Sequence, residues 1–499
     1  MYNVHHNVQR TQDVEVLVVG GGLVGLTTAL VLRHHGIDVA LVEKRATTSP
    51  QPKARRFDMR SLEVFREMGL AATVHEAARD LAHHDHMASG RTLAESEQLP
   101  LWRPGGGAPM EISPERPCLI AQDVLEPVLR RAAEDTGADV RFRTALTGFE
   151  QDADGVLADL HDLAADRRSR VRAAYLVAAD GARSPVRAAL GIERSGRGAI
   201  GDPNVNVYFR ADLADVVRGR EFNLCQIRHP ESPGALASVD GRYRWVFMAP
   251  GGEVDRDWPA LLRTALGVPA PDLEVLSVLP WQAEMLVADR YSAGRVHLAG
   301  DAAHVMPPYA AAGANTGITD AHNLGWKLAA VLSGAATPAL LDSYDVERRA
   351  ADWFAADQSS RRSQSFGGEP DPTLAHPFVL AADGFQYPAG AFAGGPDEGG
   401  EVEPVTDFAP VGRVGARVPH RWLDPDRTVS TVDLGGPGWA LLVSDDPQRW
   451  QRNGLPAHRL DADFLAPGEA LLLRPDDVVA WRGTDPAAPA VVLDELLNP

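Results

Sequence analysis

The sequence predicts an α/β protein: an open, mostly parallel sheet covered by helices, interrupted by a mostly antiparallel sheet and followed by a small C-terminal α/β unit. Three observations predict it. Residues 14 to 45 run strand, glycine turn, helix, strand; two later apolar strands, near 175 and 295, end on Asp-Gly and Gly-Asp; and residues 201 to 291 change to short alternating runs separated by Pro, Gly and Asp.

Size and composition bound the answer. At about 150 residues per domain, 499 residues suggest roughly three units, and 44% apolar content can fill their cores. The formal charge of -19 argues against nucleic acid or an anionic membrane surface as the main partner. Cys118 and Cys225 are the only cysteines and have no CxxC spacing, so neither a disulfide framework nor a thiol-redox centre is expected, and a reducing compartment is. The apolar stretch from 16 to 32 falls just short of a membrane span, and its glycines suit a turn better. The opening "MYNVHHNVQRTQ" lacks the basic start and apolar centre of a signal peptide. A cytoplasmic location is expected.

The first unit carries the clearest chemistry. "VEVLVV" reads as a buried strand, residues 23 to 35 as an amphipathic helix and "DVALVE" as a second strand. Gly20, Gly22 and Gly25 between them form G-x-G-x-x-G. The first glycine permits the tight turn, the second lets backbone amides approach a pyrophosphate, and the third lets helix pack on strand. The helix N-terminus offers N–H groups and partial positive charge to the phosphates. Glu43, about twenty residues on, is placed for a ribose 2'-hydroxyl and would repel a 2'-phosphate. Alone, the motif would suit a structural turn; with strand, helix and acid in register it reads as a Rossmann-like dinucleotide site. It does not choose between NAD and FAD.

Two further segments do. "YLVAADGARSPVRAALGI" ends a strand at Asp180-Gly181, and "GRVHLAGDAAHVMPP" ends another at Gly300-Asp301. Three strands ending in glycine or carboxylate imply one crevice at the edge of the sheet. With "GGGLVG", "DGARSPVR" and "GDAAHVMPP" in this order and spacing, the chain resembles, over nearly its whole length, the single-component (group A) FAD-dependent aromatic hydroxylases. These include para-hydroxybenzoate and phenol hydroxylases, and the resemblance is nearest to the actinobacterial polyketide branch with its aklavinone hydroxylases.

The resemblance implies FAD as cofactor and assigns contacts to it. Asp301 would accept a hydrogen bond from the ribityl chain, and Asp180 would lie near the pyrophosphate and the path of the nicotinamide. A helix N-cap is the plain alternative for Asp301. The amides of Gly313, Ala314 and Asn315, opening a helix, would face the N1 and C2-carbonyl edge of the ring, where the reduced flavin is anionic. Gln122, in a Q-x-x-L-E helix, would reach the ribityl or phosphate region. The basic contact falls on Lys53, Arg55 or Arg56. Leu23, Val24, Lys44, Arg45, Leu146, Gly300 and Pro308 complete the implied set. Relatives often carry glycines and a glutamine where this chain has Ala310-Ala311-Ala312, so a stiffer or differently shaped loop is expected. His304 and His322 are expected to pack or cap, with no proton transfer.

By the same resemblance the discontinuous FAD domain comprises 1–195 and 292–365. The antiparallel sheet, 196–291, would roof a substrate cavity, with Phe222, Trp245, Phe247 and Met248 as candidate lining residues, about half of which must face elsewhere by alternation. Gln386 stands where relatives often carry arginine near the substrate. Residues 366–404 are read as a cavity-side segment and linker, and 405–499 as a thioredoxin-like domain that lacks cysteine and so serves structure or subunit contact.

The implied reaction is an NADPH- or NADH-dependent monooxygenation of a polycyclic, polyketide-type aromatic by O2 through a flavin C4a-hydroperoxide. A single dinucleotide fold implies transient binding of the reductant, and a homodimer is compatible with the family. The alternative is a Baeyer-Villiger or ring-rearranging monooxygenase on a similar substrate. A halogenase would need an active-site lysine and W-x-W-x-I-P; no lysine lies between 53 and 327. A disulfide reductase would need a second dinucleotide fold and a cysteine pair. A non-catalytic flavoprotein would need broken motifs, and all three are intact. "HHDHM", 83 to 87, reads as a solvated loop before a metal cluster. No catalytic base is assigned and no metal is expected.

Overall fold

The computed structural model describes residues 11–100, 111–270, 272–365, 371–381, 384–394, 408–436, 438–450 and 454–499. Much of the expected cavity-side segment and linker, namely 366–370, 382–383 and 395–404, and the first ten residues lie outside these.

The strand Gln12–Val19 sits between two parallel neighbours: Val16 to Val19 pair with Val39 to Val42 on one side and with Tyr175 to Ala178 on the other. Val296–Leu298 continues the sheet in the same direction beyond Arg167–Ala178. Parallel strands are covered on both faces, which is why these segments read as unbroken apolar runs; Val16, Leu17, Val18, Leu41 and Leu176 are fully buried. Because all four strands point one way, the residues that follow them share one edge. Gly20, Glu43, Ala179-Asp180 and Ala299-Gly300 therefore stand side by side.

Two helices lie against this edge and each other. The helix Leu23–His34 returns the chain to the second strand, with Leu26 and Leu32 buried. Against it packs the helix Ala312–Leu332, so closely that a Cβ on Gly325 would come within 2.4 Å of Val31 Cγ1. The next helix, Asp342–Ser365, packs beside it.

The second sheet is larger than the sequence implies. Its order is His304–Val305, Glu274–Ala288, Arg194–Arg210, Arg244–Pro250, Ser232–Ser238, Leu224–His229, Met87–Gly90, Glu97–Gln98. It thus recruits 87–90, 97–98 and 304–305 from outside 196–291. The strand Glu274–Ala288 carries Pro280, tolerated because over most of its length this strand has, among the described residues, a neighbour on one side only.

The C-terminal sheet runs Ala457–Arg459, Ala440–Val443, Ala470–Leu473, Val479–Gly483, with the first pair parallel and the rest antiparallel, followed by the helix Ala488–Leu497. Numbered along the chain this is the order 2-1-3-4 of a thioredoxin-like core. Buried ion pairs weld it to the helices of the first domain: Arg474 to Glu347 at 2.7 Å, and Arg60 to Asp477 at 2.8 Å. Cys118 and Cys225 are buried and unpaired with one another.

Candidate active site

The glycine loop is built by close backbone approach. Gly20 has φ +114°, and a Cβ there would lie 2.2 Å from the carbonyl oxygen of Ala179; a Cβ on Gly25 would lie 1.9 Å from that of Gly20. Gly22 differs. Among the described residues its Cβ position meets only Glu126 Oε1, at 3.6 Å, so none of them forbids a side chain there. The glycine leaves free the space in front of the helix Leu23–His34, whose first amides have no intrahelical partner.

Glu43 is fixed at the tip of its strand. Its Oε2 accepts from the Gly21 amide at 2.9 Å and its Oε1 from the Arg45 amide at 2.8 Å. Lys44 and Arg45 are exposed beyond it. Leu146, half-buried on the strand Thr144–Gln151, packs against the main core and pairs with Leu160.

The helix Gln122–Asp135 supplies a residue that sequence reading passed over. Glu126, 1% exposed, accepts from the Leu23 amide at 3.1 Å through Oε1 and from the Ser49 amide at 2.8 Å through Oε2; burial pushes its pKa up. Gln122 donates to Glu126 at 2.6 Å and accepts from the Ala54 amide at 3.2 Å. The buried acid one turn after Gln122, in the quoted Q-x-x-L-E, was the available signal. Of the three basic candidates, Lys53 is exposed and Arg56 pairs with Asp58. Arg55 is turned instead toward the second sheet, donating to the Asn223 carbonyl at 3.1 Å and the Ser238 carbonyl at 2.7 Å, and burial lowers its pKa to about 10. It ties the segment before Phe57 to the second sheet.

The other strand ends complete the edge. Asp180 accepts from the Val186 amide at 3.2 Å through Oδ2, while its Oδ1 is buried with no hydrogen-bond partner among the described residues, and burial raises its pKa. Ser184 caps the short helix Pro185–Ala189, accepting from Arg187 N at 2.9 Å. Arg187 donates to the Ala182 carbonyl at 3.0 Å and to the Ala302 carbonyl at 2.7 Å, joining the DGARSPVR and GDAAH turns. Gly300 has φ +60° and abuts Val24; Asp301 beside it is exposed to the crevice edge.

After Pro308, Ala311 takes φ +53°, a left-handed conformation unusual for alanine, and the helix Ala312–Leu332 begins. Gly313, Ala314 and Asn315 thus lie in its first turn. The Asn315 side chain faces sideways: Oδ1 accepts from the Asp58 amide at 2.9 Å and the Ser61 hydroxyl at 2.7 Å, and Nδ2 donates to the Ala311 carbonyl at 2.7 Å. This asparagine fixes the turn and leaves the backbone amides to do any ring contact.

Three of the expected cavity residues are corrected. Phe222, Trp245 and Phe247 are at most 1% exposed and form a separate core with Val207, Phe209 and the helix Trp258–Leu266 on the far side of the antiparallel sheet. Alternation explains it: the neighbours in register, Tyr208, Ala237 and Val246, face Ala121 and Val124 of the first domain, with Met248 beside them. On that inner face Trp281 donates to Asn206 Oδ1 at 2.7 Å and Ser277 to Gln51 Oε1 at 3.3 Å. Gln386 is half-buried and donates to the Val414 carbonyl at 2.8 Å, toward the C-terminal domain.

His304 and His322 are both buried and ion-paired, with Asp320 and Glu67 respectively at 2.7 Å. The histidines of 83–87 do not converge: His83 is exposed, His84 is buried, and His86 bonds the Leu99 carbonyl. Among the described residues only His304, Asp320 and Asp352 approach one another closely enough for a metal. Arg348 already lies 2.8 Å from both of these carboxylates, so the cation there is a guanidinium.

FAD fits this edge. The emptied space before Gly22, the row of helix amides, the orphaned Asp180 oxygen and the open Asp301 carboxylate match a pyrophosphate, a polyol and a ring whose reduced form is anionic.

Comparison with known proteins agrees. Residues 13–359 match the model of an FAD binding domain and residues 411–498 that of an aromatic-ring hydroxylase C-terminal domain. The chain is 39% identical to a tetracenomycin B2 monooxygenase-dioxygenase of Streptomyces olivaceus, over 97% of this chain and 98% of that protein. It is 38% identical to aklavinone 12-hydroxylase of Streptomyces peucetius, over 88% and 93%. The crystal structure of aklavinone-11 hydroxylase with FAD and aklavinone superposes with a TM-score of 0.84 at 30% identity, covering 98% of this chain and 99% of that one. Among the described residues no helix is long and apolar enough to cross a membrane. With cofactor and C-terminal domains both matched and its relatives aligned nearly end to end, the chain belongs to the FAD-dependent aromatic-ring hydroxylases.

Proposed function

We propose that this protein hydroxylates a polycyclic aromatic of polyketide type, using NADPH or NADH as reductant and O2 as oxidant. In balance, Ar–H, O2, NAD(P)H and a proton give Ar–OH, water and NAD(P)+. Bound FAD would supply the redox chemistry that links nicotinamide to oxygen.

The chain's own residues bind, orient and exclude water. The amides at the start of the helix Leu23–His34 would take the pyrophosphate, with Glu126 and Glu43 holding the loop behind them. Asp301 would meet the ribityl hydroxyls. The amides of Gly313, Ala314 and Asn315 would face the pyrimidine edge of the ring, where a helix N-terminus favours the negative charge that builds on reduction. Asn206, Tyr208, Met248 and Trp281 would offer the substrate a wall in which the Asn206 oxygen is held by the Trp281 ring N–H and the Tyr208 hydroxyl lies against Arg244. No acid or base on that face is assigned to the substrate proton.

The observation that carries the reading is the shared edge: four parallel strand ends and one helix N-terminus meet beneath the inner face of the antiparallel sheet. We place the reaction in the cytoplasm, where reduced nicotinamide is at hand. The test is turnover with polycyclic phenols under labelled O2. Substrate-stimulated NAD(P)H oxidation with one labelled atom on a ring carbon is expected. A labelled ester or lactone oxygen would transfer the site to the Baeyer-Villiger reading, and no labelled product with any aromatic would sink the proposal.

A further inference from the structure

We propose that Asp320 is a positioning residue of the cofactor site, which aims the Gly300-Asp301 turn by gripping it against the helix Ala312–Leu332. The proposal rests on the reading that Asp301 faces FAD.

The geometry is a two-point hold. Gly317 packs on Gly300 so tightly that a Cβ on it would lie 3.2 Å from Gly300 Cα. One helical turn later, Asp320 Oδ2 accepts from the Gly300 amide at 3.0 Å. The helix that opens at the ring edge thereby also sets the turn that would meet the ribityl chain. A shift of either would misalign both contacts with one cofactor.

Asp320 is itself immobilised. It is 0% exposed, receives the His304 ring at 2.7 Å on the same oxygen, and receives Arg348 Nε at 2.8 Å on the other. Arg348 extends to Asp352 Oδ1 and to the Thr319 hydroxyl, each at 2.8 Å. Asp320 thus meets two side-chain cations and a backbone amide with no water contact, an arrangement that fixes direction more than it adds stability. A buried carboxylate serving only the core would have no reason to choose the one amide that precedes Asp301.

The experiment is a double-mutant cycle read as the FAD dissociation constant of the full-length apoprotein, with its melting temperature recorded alongside. Asp301→Asn and Asp320→Asn are each expected to weaken FAD at least tenfold, and the double variant to be within about threefold of the weaker single, because both changes remove one interaction. His304→Gln keeps a donor toward Asp320 and covers the case in which D320N does not fold; it should weaken FAD severalfold in the wild-type background and not at all beside D301N. Weakening by D301N with no effect of D320N or H304Q overturns the proposal. So do fully additive losses, or a lowered melting temperature with unchanged affinity, which mark a purely structural role. If D301N itself leaves affinity untouched, the reading of Asp301 as a cofactor contact fails and the proposal falls with it.

Discussion

Replacing Gly22 by alanine should separate folding from cofactor binding. The backbone there, φ -89° and ψ -172°, is open to any residue, and the added Cβ meets only a carboxylate oxygen at 3.6 Å, an ordinary contact. The apoprotein should therefore melt where the wild type does, or slightly higher, since Gly→Ala at a compatible site gains about 0.4–1 kcal/mol through the unfolded chain. The pyrophosphate is another matter. Its oxygens need to come within about 3 Å of the helix amides, and a methyl group in front of them holds the phosphate off. Losing two charge-assisted hydrogen bonds at roughly 1.5 kcal/mol or more each costs about 3 kcal/mol, a factor of about 100 in Kd. Gly25→Ala is the contrast: its Cβ would fall 1.9 Å from the Gly20 carbonyl, so overpacking of about 1–3 kcal/mol or more should lower stability and affinity together. The assay is FAD titration of apoprotein with thermal melting of the same sample. Unchanged FAD affinity in G22A would refute the assignment of this loop to the pyrophosphate.

Three further outcomes are expected. Arg474→Met leaves Asp476 buried without its guanidinium and Glu347 with Lys327 as its remaining cation, so chemical denaturation should show a loss of about 3–5 kcal/mol and limited proteolysis should release the C-terminal domain; an unchanged midpoint would show that the pair holds nothing together. Burial lowers the pKa of His297 to about 4, against about 6.5 when unfolded. Its neutral form therefore stabilises the fold fully above about pH 6.5, and about 3 kcal/mol should be lost as pH falls from there through 4; in His297→Asn this part of the acid slope should vanish, and a slope identical to wild type would contradict it. Phe247→Ala should cost about 3–5 kcal/mol of stability with substrate KM unchanged, whereas Met248→Ala, next in sequence on the inner face, should change KM with a smaller loss of stability. The reverse pattern in steady-state kinetics and melting would put Phe247, not Met248, on the cavity wall.

What was legible in the sequence was what is local in the chain. The strand-turn-helix pattern of residues 14 to 45 and the strands ending at Asp180 and Asp301 are contiguous signals, and parallel pairing then brings their ends to one edge without further information. The sheet at 201 to 291 was legible as a sheet, but alternation defines two faces and does not say which one looks inward; Trp245 and Phe247 read as lining residues only because they are large. Arg55 stands among three basic candidates because charge is visible in sequence, whereas its acceptors, the carbonyls of Asn223 and Ser238, are backbone atoms on another sheet. The buried ion pairs are farther still from view: Arg60 meets Asp477 and Arg474 meets Glu347 across separations of 417 and 127 residues. Glu126 and Asp320 were hidden differently. Each lies in a helix where an acid normally faces solvent, and only tertiary packing turns it toward a backbone amide.

Crystals of the protein reconstituted with FAD would decide whether the strand ends hold one cofactor. Continuous density should run from the Gly22 turn past Asp301 to the first turn of the helix at Gly313, with the adenosine half beside Glu43 and the ring under the face that carries Met248 and Trp281. Density for the flavin in any other cavity, or an ordered FAD with Asp180 and Asp301 on separate surfaces away from it, would contradict that arrangement.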